Sequence, residues 1–248
     1  MRSILIQYED SFRGDLLLVT PNHPLPYAAD IQALVPAIPG QSKILLQAKA
    51  AESLQQVFRH LHCDTQFAAV SGYRTQDEQQ HIWEDAIAEK GLPFARQFVA
   101  IPGHSEHQTG LAIDLAVKNE TIDIFCPDFT SQEICQQFRD IASDYGFIQR
   151  YSKNKIDFTK ISEEPWHFRY VGWPHAGLMA QRGVTLEEYI GALGAYTPEQ
   201  PLHAEAGGRG FDIFRVPLGP EGARFDAPRD RVWQASADNC GGLVVTVW

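Results

Sequence analysis

After residue 36 the apolar positions Leu54, Val57, Phe58 and Leu61 recur at the spacing i, i+3, i+4, i+7, which predicts an amphipathic helix. A short apolar run, Phe67 to Val70, follows and ends in the glycine turn "SGYRT", so it reads as a strand. Thr75 with Glu78 is a capping-box pattern and opens a second helix, which Gly91 stops. Residues 92–104, with Pro93, Pro102 and Gly103, read as a loop. The alternation of Leu111, Ile113 and Leu115 predicts a strand over 111–116. Thr130 and Glu133 repeat the capping-box pattern, so a helix is expected from there to Tyr145, with Gly146 as its stop. "FIQRY" is another short strand, and 152–163 a polar loop. "PWHFRYV" then puts Trp166, Phe168 and Tyr170 on one face of a strand and His167 and Arg169 on the other. Residues 175–194 read as helices, the last opened by Thr185 with Glu188. Upstream, Leu16 to Thr20 is a strand candidate in an otherwise irregular, proline-rich stretch, 14–36.

Strands and helices alternate without the even βαβα rhythm of a doubly wound sheet, which favours an α+β fold. From about residue 196 the composition shifts. "YTPEQPLHAEAGGRG" has the character of a linker, and the strand-like runs "FDIFRVPL" and "RVWQASADNCGGLVVTVW" follow, with a turn at 239–242. The expected organisation is therefore a domain over 1–195 and a linker with a small C-terminal β annex over 196–248. The annex reads as an appended element, without which a chain ending near Ala195 is expected to fold. Its role, dimerisation element or substrate gate, stays open at this point.

The chain has 248 residues, 44% hydrophobic and 21% charged, ordinary values for a globular protein. Its formal net charge of −10 argues against a general nucleic-acid binder, which needs a basic face. The apolar run Ile4 to Ile6 is too short for a signal segment or a membrane span, and no later stretch is long enough. If the chain starts natively at Met1, a cytoplasmic location is expected. Cys63, Cys126, Cys135 and Cys240 form no CxxC pair and read as small thiols, not as a disulfide scaffold or a zinc knuckle.

His107, Asp114 and His167 interrupt strand-like apolar stretches. Each has an ordinary reading alone: a loop residue, an edge carboxylate, a satisfied core histidine. A half-buried strand does not carry such groups without partners, and two imidazoles with one carboxylate are a common catalytic zinc set that leaves a position for water. A zinc hydrolase also needs a carboxylate to take the water's proton and pass it to the leaving amine. Glu164 stands three residues before His167, with Glu163 adjacent, and spacing alone does not choose between them.

The motifs "SEHQTGLAID", "EPWH" and "SGYRT" with "DEQQ" resemble the SxHxxGxAxD, ExxH and arginine-and-glutamine blocks of the zinc D,D-peptidases that include the vancomycin-resistance enzymes VanX, VanY and VanXY. The likeness runs over about residues 16–193, leaves out the annex, and is greatest to the cytoplasmic VanXY type. It implies a small antiparallel sheet flanked by helices around a zinc ion held by His107, Asp114 and His167. It makes Glu164, not Glu163, the general base. It gives Arg74 the oxyanion or substrate carbonyl, and Gln79, Ser105 and Tyr151 the substrate's terminal carboxylate and backbone. His104 and His175 flank the motifs as non-ligands. Gly110 is expected to let the chain turn between two ligands, and Ala112 to leave room beside the metal.

The resemblance implies hydrolysis of D-Ala-D-Ala, as the free dipeptide or at the end of the UDP-linked muramyl pentapeptide. Related bifunctional enzymes can carry Asp where this chain has Ser71, so the uncharged Ser71 points to a preference for the longer peptide, whose amide replaces the dipeptide's ammonium. Two rival readings are a cell-wall endopeptidase or L,D-carboxypeptidase of the same zinc fold, and a non-catalytic zinc-bearing binding module. The presence of Glu164 tilts against the second. A homodimer is possible.

Overall fold

The computed structural model describes residues 2–8, 13–25, 33–118 and 121–248. They form two compact units, one of Val19–Ala176 and one of Met1–Leu18 with Gly177–Trp248. Strand β1 (Arg2–Ile6) belongs to the second. In the first unit the short antiparallel pair β2 (Leu34–Pro36) and β3 (Leu45–Gln47) leads into α1 (Ala48–Leu61). There follow β4 (Phe67–Ser71), α2 (Gln76–Lys90), α3 (Leu92–Phe98), β5 (Ala112–Val117), α4 (Glu133–Ala142), β6 (Phe147–Tyr151), the single turn α5 (Ile156–Thr159) and β7 (Glu164–Tyr170).

β4, β5, β7 and β6 form, in that order, one antiparallel sheet. All six residues of β5 are buried. Because strand side chains alternate, Ile113, Leu115 and Val117 enter the core, and Ala112, Asp114 and Ala116 take the other face. The core side is filled by Leu54, Val57 and Phe58 of α1, Phe138 of α4 and Phe168 of β7, with the last two rings 4.8 Å apart. Burying each such side chain contributes about 1.5–3 kcal/mol. That holds α1 and α4 to one face, so the polar residues of the central strands collect on the opposite one.

The predicted helices and strands of this unit form, with local differences; the expected polar loop 152–163, for one, contains α5. Thr130 does not cap α4, which starts from Gln132 without a side-chain cap. Instead the amide and hydroxyl of Thr130 donate to Asp128 Oδ1, at 2.9 and 3.2 Å, a local turn that competes with the cap. The expected loop at 92–104 begins with α3, where Pro93 lies in the first turn and costs no intrahelical bond. The capping box at Thr75 and Glu78 is formed as predicted.

The chain passes into the second unit within α6 (His175–Arg182), then forms α7 (Leu186–Leu193), whose predicted capping box at Thr185 and Glu188 is present. Five strands follow: β8 (Leu202–Ala206), β9 (Arg209–Pro217), β10 (Ala223–Ala227), β11 (Trp233–Ala237) and β12 (Gly242–Val247). One sheet has the order β11-β12-β9-β8, and β1 pairs antiparallel with β10. The unit therefore takes in β1 and α7, and does not begin at residue 196. α7 buries Leu186, Tyr189, Ile190 and Leu193 and packs against β9. The linker-like "AEAGGRG" is a hairpin between β8 and β9: Gly207 and Gly208, at φ 53° and 72°, supply the left-handed pair that a tight two-residue turn needs. The turn at 239–242 is present, held by buried Asp238, which accepts from the Cys240 and Gly242 amides and from Arg215. Leu16–Thr20 forms no strand; its buried segment donates instead from the Leu16 and Leu18 amides to Ser236 Oγ and the Asp238 carbonyl. All four cysteines are free thiols. Among the described residues no helix is long and apolar enough to cross a membrane.

Candidate metal centre and active site

His107, Asp114 and His167 come together on the polar face of the sheet, with one ligand atom from each lying within 4.8 Å of the others. Asp114 and His167 are direct neighbours in the β5–β7 register. His167 Nδ1 is 2.8 Å from Asp114 Oδ1, and His107 Nε2 is 3.2 Å from Asp114 Oδ2. His107 sits in a short 3-10 turn, Glu106–Thr109, ended by Gly110 at φ 68°. A side chain at Gly110 would be strained there and would meet Leu34 at 2.8 Å. Gly72 is needed for a different reason, since a Cβ would stand 2.4 Å from the Leu45 carbonyl. Its own carbonyl accepts from His107 Nδ1 at 2.7 Å, which fixes the tautomer and leaves Nε2 turned to the cluster.

Glu106 does the equivalent for His167, and residue spacing did not single it out. It is buried, and Oε2 lies 3.5 Å from His167 Nε2. Oε1 accepts from Arg150 Nε at 2.9 Å and Arg169 Nη1 at 3.0 Å. His167 is thus held so that Nδ1 faces Asp114. Arg169 lies directly across from Ala112 in the sheet. The available signal was the shared face of His167 and Arg169, a buried cation that requires a buried anion.

The cluster forms the floor of a pocket that Arg74, Gln79, Ser105, Tyr151 and Glu164 also line, with apolar walls from Phe98, Phe125 and Trp166. Glu164 is only 5% exposed and reaches within 3.9 Å of His167 Nδ1. A register shift between β6 and β7 pairs it with Tyr151 and brings it to the site. Glu163 is not among the pocket's lining residues. Arg74 Nη2 is 4.0 Å from Asp114 Oδ2, while its Nε and the Oε1 of Gln79 are buried without a hydrogen-bond partner among the described residues. Gln79 spends its amide group on the Ala100 carbonyl, at 2.7 Å, so it offers the pocket an acceptor. Ser71 does not line this pocket; a second register shift, in β4, sets it opposite Asp114. His104 donates to the Thr20 carbonyl, and neither it nor buried His175 joins the cluster.

Burial disfavours the charge on Asp114, but the two imidazoles outweigh it and hold the carboxyl well below its usual range. Burial lowers the His107 pKa to about 4, helped by Arg74, so its imidazole is neutral near pH 7. Burial also opposes a charge on His167, yet the hydrogen bonds it donates to Asp114 and Glu106 raise it to about 9. Glu106 stays ionised, because Arg150 and Arg169 overcome its burial. Glu164 goes the other way: burial raises it to about 8, against the pull of His167. The site therefore holds two carboxylates that are firmly charged and a third that exchanges its proton near neutrality. With Nε2 of His107, Nδ1 of His167 and the Asp114 carboxylate facing one point, and the remaining imidazole nitrogens occupied, the donor set suits a divalent transition metal.

The model of the VanY family, D-alanyl-D-alanine carboxypeptidase, matches residues 43–173. The bifunctional D-Ala-D-Ala dipeptidase and D-Ala-D-Ala carboxypeptidase VanXYC of Enterococcus gallinarum is 42% identical over 175 residues, 70% of this chain and 92% of that protein. The vancomycin-resistance D,D-dipeptidase VanXYg, solved with a D-Ala-D-Ala phosphinate analogue, is 41% identical with a TM-score of 0.96, over 100% of this chain and 98% of that one. That likeness includes the β-rich second unit, so the unit is shared by at least one relative. A VanY mutant from the VanB-type resistance cassette, solved with Zn(II), is 31% identical with a TM-score of 0.60, over 71% of this chain and 98% of its own. The matches span the strands that carry the His–Asp–His cluster and its buried glutamates, and the chain belongs to the VanY family of D-alanyl-D-alanine carboxypeptidases.

Proposed function

We propose that the chain is a zinc-dependent D,D-peptidase of the cytoplasm, acting as a carboxypeptidase on the UDP-linked muramyl pentapeptide and as a dipeptidase on free D-Ala-D-Ala. Loss of these precursors removes what glycopeptide antibiotics bind. The observation that carries the reading is the buried Glu164 beside the His107–Asp114–His167 cluster, in a pocket shared with Arg74. The Zn(II) complex of the VanY relative supports the choice of metal.

Zinc held by His107, Asp114 and His167 would supply a Lewis acid for the scissile carbonyl and lower the pKa of water to about 7. Glu164, as the ionised carboxylate, accepts the water's proton and returns it to the departing D-alanine amine. Arg74 has a buried N–H without a partner, and donates to the carbonyl oxygen as negative charge develops there. Ser105 and Tyr151 orient the terminal carboxylate. Gln79, with its free acceptor, takes a substrate N–H.

The test is D-alanine release from the dipeptide and the pentapeptide side by side, with and without a chelator. Turnover of both, lost on chelation and restored by zinc, is expected. Absence of D-alanine release from either rejects the reading. Ser71 adds no charge one strand from Asp114, so the pentapeptide is the better substrate, and Ser71→Asp shifts the ratio of kcat/KM values toward the dipeptide. An unchanged ratio removes Ser71 as the selector.

A further inference from the structure

A second pocket adjoins the catalytic one, with Val99, Ala100, Tyr151 and Ile161 as a common wall. Its floor is apolar: Val19 is buried, and Trp83 and Ile101 stand along the side, Ile101 still 40% exposed. The charges around it are one-sided. Arg96, Arg150 and Lys160 line it, and no carboxylate does, in a chain with 31 acidic and 21 basic residues. Arg150 is committed to Glu106. Arg96 and Lys160 are exposed and form no salt bridge among the described residues. Lys160 also holds a left-handed backbone conformation, φ 62°, at the end of α5, a position where glycine is the usual residue.

We propose that this second pocket binds an anionic group of a longer substrate, with Arg96 and Lys160 as its counter-ions and the apolar floor packing the aliphatic stem that carries it. This rests on the peptidase reading and extends it from the cleaved bond to the rest of the substrate. A free D-Ala-D-Ala dipeptide is spent in the catalytic pocket and reaches neither cation. A pentapeptide has more chain, and on a nucleotide-linked one there are two anionic candidates: a stem-peptide carboxylate and the diphosphate. Both offer acceptor oxygens to the same two cations. A cationic side chain is excluded by the lining, which has no acid to receive it. The adjoining wall places the anion site within reach of a peptide whose terminus lies at the metal cluster.

The experiment compares the native chain with Arg96→Ala/Lys160→Ala. Both side chains lie outside the catalytic pocket, and as exposed residues their loss leaves the fold intact. D-Alanine release is measured from the free dipeptide, from a pentapeptide with a free stem carboxylate, from the same peptide amidated there, and from the UDP-linked pentapeptide. Peptide Kd values are measured by calorimetry in parallel. If the carboxylate is the anion, the double variant raises KM and Kd for the carboxylate peptides about five- to tenfold, the scale of two exposed ion pairs. It leaves kcat, the dipeptide and the amidated peptide unchanged. If the diphosphate is the anion, only the UDP-linked substrate weakens. Equal effects on all substrates, or none on any, overturn the proposal. Should the native chain release no D-alanine, the peptidase reading fails, and the Kd values alone judge the pocket.

Discussion

His167 Nδ1 and Asp114 Oδ1 stand 2.8 Å apart across β5 and β7, at positions that are paired in the sheet register. One proposed ligand is thereby fixed to another by the backbone ladder, and the third, His107, is brought in by a short turn. Sites on rigid strands are held more accurately than sites on loops. His167→Ala should therefore lower bound zinc from one per chain to a small fraction, by metal analysis of the purified protein. Full zinc with intact activity would show that His167 is not a ligand.

Glu106 should set how tightly the metal is held. Outer carboxylates that orient a ligand histidine usually account for about ten- to a hundredfold in affinity. Glu106→Gln keeps the shape but offers no charged acceptor to the His167 Nε2–H or to the two arginines. Chelator competition is expected to give a zinc affinity at least about tenfold weaker, with circular dichroism reporting whether the fold persists. A folded variant with native affinity would reduce Glu106 to a structural role.

Glu164 and Glu163 separate by chemistry. Glu164→Gln should retain zinc and lose kcat by about a hundredfold or more, the scale of a positioned proton transfer. Glu163→Gln should be close to native. The reverse pattern would exchange their roles.

Acid sensitivity has an identifiable contributor away from the metal cluster. Burial lowers the His175 pKa from 6.5 to about 4. The unfolded chain takes up a proton as the pH falls through about 6.5, and the folded chain does not until about 4. Stability contributed by neutral His175 is thus complete above pH 6.5 and declines over this window, by up to about 3 kcal/mol. Urea midpoints of chelator-treated protein between pH 7 and 5 should fall more steeply for the native chain than for His175→Asn. Parallel declines would assign the acid loss to other groups.

A chain ended at residue 195 should not fold as a stable unit. The cut removes β10, the partner of β1, and β9, against which α7, with its buried Leu186, Tyr189, Ile190 and Leu193, packs. Loss of cover over several apolar side chains costs about 1.5–3 kcal/mol each, comparable with the whole stability of a domain. Insoluble or molten protein is expected by solubility and near-ultraviolet dichroism. A sharp, cooperative melt of the truncated chain would restore the appended-annex view.

The sequence by itself determined the local elements and the three motifs. Leu54, Val57 and Phe58 declared α1 because a helix repeats every 3.6 residues, and Thr75 with Glu78 declared the start of α2 because both partners of that cap are near in sequence. His107, Asp114 and His167 stood out as a group by their spacing, whereas Glu164 was set apart from Glu163 only by the family resemblance. What needed distant partners was not legible. The β1–β10 pairing joins residues at opposite ends of the chain, so a boundary was read at 195 where the tertiary contacts draw none. Gly207 and Gly208 resembled a linker until the strands on either side paired. Glu106 occupied a position between motif residues, and only folding brought it against Arg150, Arg169 and His167. The register shifts at Val70 and in β7 decided which side chains face the pocket, turning Glu164 in and setting Ser71 against Asp114. Local propensity acts over a few residues, whereas the polarity and protonation of the site depend on groups tens of residues apart, and those distances close only when the core does.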